Sequence, residues 1–307
     1  MPYKIDDRCL RRLFSINGFP LTDTEMGFFG LRGCLPLDVD DTGFAKSHEL
    51  DLMTPDYVHP RCTLGQWLPA KKVIALFPGS TVPHVTYVRS AMAKGGSGAN
   101  QLMTGLYTDY RKGIHNASTS TGHQAFRQTQ GHPIRRTVDD FDFDSDDRVE
   151  FDNPYDNIHA AWSMSVSHDY YASAGCQVVV GYPQCAKRGK APDAGPWKVF
   201  KENAYEIRQD SFPYVLLEAR EVQAIAIAGA AKRTARLRFG SQGALVASLQ
   251  KKLKAKGYYE GREDGDFGDR TNRAVLKFQT AQFGPSADDG IVGPVTASAL
   301  DFALPKL

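Results

Sequence analysis

Between about residue 70 and residue 220, short apolar runs alternate with clusters of Gly, Pro, Asp and Ser. Val73-Ile74-Ala75-Leu76-Phe77 stops at Pro78-Gly79, and Val85-Thr86-Tyr87-Val88 alternates after Pro83. Val178-Val179-Val180 stops at Gly181-Tyr182-Pro183, and Tyr214-Val215-Leu216-Leu217 follows Pro213. Runs of this length, rich in β-branched and aromatic residues and bounded by turn formers, predict strands in a mostly β domain. Trp197 to Arg208, after Pro196, predicts one amphipathic helix. Upstream, Phe28-Phe29-Gly30-Leu31-Arg32-Gly33-Cys34-Leu35-Pro36 predicts a strand ending in a turn. The period changes near residue 240. Leu245, Leu249 and Leu253 recur at helical spacing and end at Gly257. A second helix, capped by Thr271, would bury Val275 and Phe278, and a third would begin near Pro294 and carry Leu300. The expected division is an N-terminal region (1–70) of no assigned role packed on the next domain, a mostly β domain (71–228), a linker (229–239) and a small all-α, three-helix domain (240–307). The linker expectation rests on small and basic residues without a large apolar pattern.

The chain has 307 residues, 42% hydrophobic and 23% charged, enough for two packed cores. Its net charge of +2 gives no reason to expect a nucleic-acid partner. Eight cations between Lys232 and Lys256, with no acid among them, are expected on a solvated face. No window has the length of a membrane span. Met1-Pro2-Tyr3-Lys4-Ile5-Asp6-Asp7 is polar and acidic where a secretory leader needs a basic and then an apolar stretch. A protein made in the cytoplasm without a leader would need another way out, and lysis, a phage tail or a contractile injection device would serve. Of the five cysteines, Cys9, Cys34 and Cys62 are expected to be buried thiols. Cys185 is expected to be a bystander near Cys176.

The C-terminal stretch repeats one device. Asp264-Gly265-Asp266-Phe267-Gly268 with Thr271, and Asp289-Gly290-Ile291-Val292-Gly293-Pro294 with Thr296, each place a turn, an apolar plug, a close-approach glycine and a threonine before a helix. With Gly240-Ser241-Gln242-Gly243, Leu249-Gln250 and Phe278-Gln279, the spacing resembles the small three-helix peptidoglycan-binding domain of wall hydrolases. The resemblance implies peptidoglycan as partner.

Cys176 is the centre of the candidate chemistry. It lies in Ser173-Ala174-Gly175-Cys176, seventeen positions after His159. A thiol with an imidazole available is suited to nucleophilic acyl transfer. Ser-x-Gly-Cys after a histidine resembles the L,D-transpeptidase family, and Tyr110 to His115, His132 to Arg136 and Trp197 to Phe200 are similar to blocks of its phage-type branch. The resemblance implies a β-sandwich-like fold and attack on the stem-peptide bond between the L-centre of the diamino acid and D-Ala. It makes Cys176 the nucleophile and His159 the base. Ser173 and Gly175 would shape the loop, and the amides of Gly175 and Cys176 would hold the oxyanion.

Two positions depart from that family: Val178 stands where many members have an arginine, and Ala174 where many have His or Lys. Substrate contacts are therefore expected from His115 and from Arg135 or Arg136, whose forks suit a carboxylate. His123, His132 and His168 are expected at the surface or in turns. The run Asp139 to Asp147 offers calcium-like spacing at Asp140, Asp142 and Asp144, but Ser145 stands where the turn wants Gly, so a solvated loop is expected. No His-x-x-x-His helix supports a zinc peptidase, and neither metal nor cofactor is expected. The alternative from another class is a non-catalytic wall-binding or tail-structural protein.

Overall fold

The computed structural model describes residues 2–21, 24–94, 98–137, 143, 147–189 and 191–307. Most of the candidate calcium run therefore lies outside the described residues. Glu150, which follows it, accepts from Arg136 Nε at 2.9 Å and Arg148 Nε at 2.8 Å.

The chain opens with β1 (Tyr3–Asp6), α1 (Asp7–Ile16), β2 (Gly27–Arg32), β3 (Cys34–Pro36), β4 (Ser47–Leu52), β5 (Cys62–Leu68) and β6 (Val73–Ser80). After α2 (Val85–Lys94) come β7 (Ala99–Leu102), β8 (Gly105–His115), β9 (His123–Arg127), β10 (His132–Thr137) and β11 (Arg148–Asp152). Next are β12 (Ile158–Ala160), β13 (Gln177–Val179), α3 (Pro196–Glu206), β14 (Ser211–Glu218) and α4 (Ala219–Ala228). The C-terminal helices are α5 (Ala244–Ala255), α6 (Asp269–Phe283) and α7 (Pro294–Ala299).

Eight strands close a barrel in the order β12-β13-β6-β5-β2-β14-β8-β9, and Phe126 of β9 meets Ile158 of β12 to seal it. This corrects the expected sandwich. Two stacked sheets would leave exposed edges, whereas closure pairs every stave. Residues 27–68 supply two of those staves, so the barrel begins well before residue 71. β5 and β6 pair along their length, from Cys62 opposite Gly79 to Leu68 opposite Val73.

The strands read as unbroken apolar runs because both faces are covered. One set of alternate residues, including Phe28, Phe77, Tyr214 and Leu216, packs inward with Trp197 and Phe200 of α3. The other set, including Phe29, Leu31, Leu76 and Val215, packs outward against Leu10, Leu13 and Phe14 of α1 and Val222 and Ile225 of α4.

Two local expectations are overturned. Val85 to Val88 opens a helix, not a strand. The His84 carbonyl receives the Tyr87 and Val88 amides, and its ring Nδ1 accepts from Thr86 N. Four alternating residues are too few to outweigh that cap and the helix formers that follow. Residues 234–239 are not a free linker. Leu237 pairs with Val292, Thr234 pairs with Lys306, and the Leu106 amide donates to Phe239 O at 3.0 Å. Arg238 is 1% exposed, so this cation does not share the solvated face expected for its neighbours.

The C-terminal core gathers Val246, Leu249, Leu253, Phe267, Val275, Phe278, Val292 and Leu300. Thr271 does not cap α6, because Gly268 holds that position. Its hydroxyl instead donates to Asp266 O at 2.9 Å and accepts from Gln250 Nε2 at 3.0 Å. No helix of the described residues is long and apolar enough to cross a membrane.

Candidate active site

The parallel pairing of β12 with β13 explains the spacing of His159 and Cys176. Ile158 opposes Gln177 and His159 opposes Val178. Carried back one step, the register sets Cys176 beside Asn157, two residues from His159 on the same face. The Gln177 amide donates to Asn157 O at 3.0 Å and holds that step. The β8–β9 hairpin brings a third group, since His115 and His123 face each other at its turn end. The result is a cluster in which one ligand atom each from His115, His159 and Cys176 lies within 4.8 Å of the others.

The loop before the thiol is locked. Ser173 Oγ donates to Cys176 O at 2.7 Å and accepts the Gly175 amide at 3.2 Å. This corrects one expectation, because the Gly175 N–H is engaged by Ser173 and does not serve an oxyanion. The amides of Asn157 and Cys176 are the ones that favour negative charge on the sulfur.

Cys176 is 8% exposed. Burial, then the neighbouring Asp156, push its thiol above the ordinary value. Burial also pushes the imidazoles down: His159 well below 6.5, His115 to about 4, and His123 in the same direction. Repulsion among the three rings adds to this for His159 and His115. The His115 and His159 rings stack at 4.1 Å, and His123 stands edge-on to both at 5.5 Å. The resting cluster is therefore a neutral thiol among neutral imidazoles.

The cluster lies on the wall of an open cleft of about 870 Å³. Aromatic residues Tyr87, Tyr155, Trp162 and Tyr170 line it, with Arg127 and Lys187 as its cations. No carboxylate lines it among the described residues. Arg127 sits over the Tyr155 ring and Lys187 over the Trp162 ring, each 5.7 Å from the ring centre.

Arg135 and Arg136 are absent from the cleft, against expectation. Arg135 donates to Asp147 O and Asp288 O, both at 2.7 Å. Arg136 binds Glu150 at 2.9 Å and Asp152 at 3.3 Å, and reaches Asn100 Oδ1 at 3.4 Å. Their forks are filled by residues that only folding brings near. His123 is buried rather than at the surface, and so is His132, whose Nε2 lies 2.7 Å from Asp109 Oδ1. His168 is exposed, and all five cysteines are free.

Sequence reasoning missed Asn157, His123, Arg127 and Lys187. The available signal was the turn-forming stretch Asn116 to Gly122, which makes His115 and His123 hairpin partners. Two imidazoles and a thiolate are also donors that zinc accepts. In that state the Nδ1 of His159, facing Ala160 O at 2.9 Å, would orient its ring through the second shell.

A family model described as a putative peptidoglycan binding domain matches residues 242–300. That segment is a peptidoglycan-binding domain. It is 44% identical over 57 residues to N-acetylmuramoyl-L-alanine amidase CwlM of Mycobacterium tuberculosis, covering 19% of this chain and 14% of that protein. It is likewise 44% identical over 61 residues to the spore cortex-lytic enzyme of Bacillus subtilis, covering 20% of each chain. The chain thus spans a fifth or less of the curated relatives it matches. No solved structure matches.

The peptidoglycan-binding domain is fastened to a separate three-stranded sheet, β11-β10-β7, and to the turn after α1. Arg135 of β10 holds Asp288, the Arg273 guanidinium lies 4.0 Å from the centre of the Phe151 ring of β11, and the Gln242 amide donates to Gly18 O at 2.7 Å.

Proposed function

We propose that this protein acts on the bacterial cell wall as a cysteine acyl-transfer enzyme of the L,D-transpeptidase type, with its peptidoglycan-binding domain docking it on the substrate. The carrying observation is the thiol of Cys176 within 4.8 Å of nitrogens from two imidazoles beside an anion-favouring cleft.

The roles follow from the geometry. His159 Nδ1 faces the Ala160 carbonyl, which can only accept, so Nδ1 carries the ring's proton and Nε2 keeps its lone pair. As Cys176 Sγ attacks the stem-peptide carbonyl, the thiol proton passes to that lone pair. The S–C bond forms and the carbonyl pair moves to oxygen. When the oxygen returns its pair, the C–N bond breaks and the His159 imidazolium protonates the leaving amine. Water or an acceptor amine then attacks the thioester by the reverse steps, giving hydrolysis or a cross-link. Burial keeps His159 in its basic form at neutral pH. The stem carries carboxylates, which suit Arg127 and Lys187 in place of the two arginines expected from sequence.

The test is digestion of purified sacculi followed by mass spectrometry. Cys176→Ala is expected to lower product formation by about 10⁴-fold or more, the order seen when a nucleophile is deleted. Unchanged muropeptide products would leave a wall-binding protein without this chemistry. The ligand-like trio favours zinc as a second reading. Activity lost to a chelator and restored by zinc would establish it over the metal-free mechanism.

A further inference from the structure

An acyl transfer needs a donor aimed at the oxygen that gains charge, and the Gly175 amide is turned to Ser173. The orientation of Asn157 identifies a replacement. Its Oδ1 accepts the Gln128 amide at 3.0 Å, which only an oxygen can do. Its Nδ2 therefore points the other way and donates to His115 Nδ1 at 2.8 Å. A nitrogen that accepts carries no proton, so the single proton of neutral His115 is on Nε2. His159 has the opposite arrangement, with its proton on Nδ1 against Ala160 O. The two rings, stacked at 4.1 Å with a nitrogen of each within 4.8 Å of the Cys176 sulfur, thus carry opposite tautomers.

We infer that His115 is a catalytic residue that donates its Nε2–H to the oxyanion formed when Cys176 attacks. This rests on the reading of Cys176 as nucleophile. In the tetrahedral intermediate the former carbonyl oxygen bears the charge. The His115 N–H and the Cys176 amide share it, and no proton transfers from His115. His115 does not serve as a second base, because its free nitrogen is already protonated. The same proton must leave before His115 Nε2 can ligate a metal, so the tautomer separates this role from the zinc reading.

The experiment has a spectroscopic and a kinetic arm, both on the full chain. Long-range proton–nitrogen NMR of the protein labelled at histidine nitrogens reads each tautomer. Nε2–H at His115 with Nδ1–H at His159 is expected, and Nδ1–H at His115 would overturn the inference. In the kinetic arm, His115→Ala is expected to reduce kcat by about 10²–10³-fold, as removal of one oxyanion donor does, with little change in KM. His115→Gln, whose amide N–H reaches the Nε2 position, is expected to recover at least about tenfold over alanine. Wild-type kcat in His115→Ala, or glutamine no better than alanine, would overturn it. Full activity in Cys176→Ala would instead sink the cysteine mechanism itself, a result distinct from either. If His115→Ala does not fold, the tautomer alone decides.

Discussion

At Gly175 two constraints coincide. The backbone has φ of +139°, a region other residues rarely enter, and an added Cβ would stand 2.1 Å from Asn100 Nδ2 and 2.5 Å from Asp156 Oδ1. Asn100 is fixed in turn, since it donates to Asp156 at 2.6 Å and receives Arg136. Gly175→Ala should therefore destabilise the fold by about 1–3 kcal/mol from backbone strain alone. It should also displace the loop that carries the thiol. Urea unfolding reads the first effect, and the alkylation rate of Cys176 reads the second. The glycine, the serine and the thiol were legible in sequence because their loop is local. Asn100 and Arg136 were not, because they approach from β7 and β10, strands far earlier in the chain.

At the scale of elements, the duplicated Asp-Gly device is held by two buried glutamines that repeat each other's bonds. Gln250 Nε2 donates to Asp264 Oδ1 at 2.8 Å, Asp266 O at 3.0 Å and Thr271 Oγ1 at 3.0 Å, and its Oε1 accepts Gly265 N at 2.9 Å. Gln279 Nε2 donates to Asp289 Oδ1 at 2.7 Å, Ile291 O at 3.1 Å and Thr296 Oγ1 at 3.1 Å, and its Oε1 accepts Gly290 N at 2.9 Å. The motif showed the turns and the threonines, but the threonines serve these clamps instead of capping. Replacing either glutamine by leucine strands buried donors and acceptors. Gln250→Leu and Gln279→Leu should each cost about 2–3 kcal/mol in urea unfolding. Exposed Lys251→Ala should stay within about 0.5 kcal/mol of the parent.

At the scale of the whole molecule, the segment expected to be a linker carries three buried anchors, Ala235, Leu237 and Arg238. Arg238 places both terminal nitrogens in polar contact: one on Thr104 Oγ1 at 3.1 Å, the other on both Glu221 oxygens at 2.8 Å. Ser241 Oγ accepts Arg238 N at 2.9 Å, and the same hydroxyl donates to Asn17 O. Removing Arg238 leaves the Glu221 carboxylate, 10% exposed, with Arg236 at 4.0 Å as its remaining cation. Arg238→Met should destabilise the protein by about 3–5 kcal/mol. In calorimetry the parent is expected to melt in one transition. The variant should melt in two, as the barrel and the peptidoglycan-binding domain uncouple.

The amino-acid sequence alone determined what depends on neighbours along the chain. Strand runs end at Gly and Pro, helical spacing follows residue 240, and the Asp-Gly turns recur. The thiol of Cys176 and the imidazole of His159 were also visible, because residue type is read directly. Tertiary structure alone decided that the sheet closes into a barrel from residue 27 onward and that Leu237 and Arg238, in the expected linker, are buried. It also decided that His115 and His123 join His159 while Arg135 and Arg136 turn away. Those outcomes depend on strand register and closure, which bring together atoms far apart in sequence, and no local pattern specifies which distant partner will fill a given side chain's bonds.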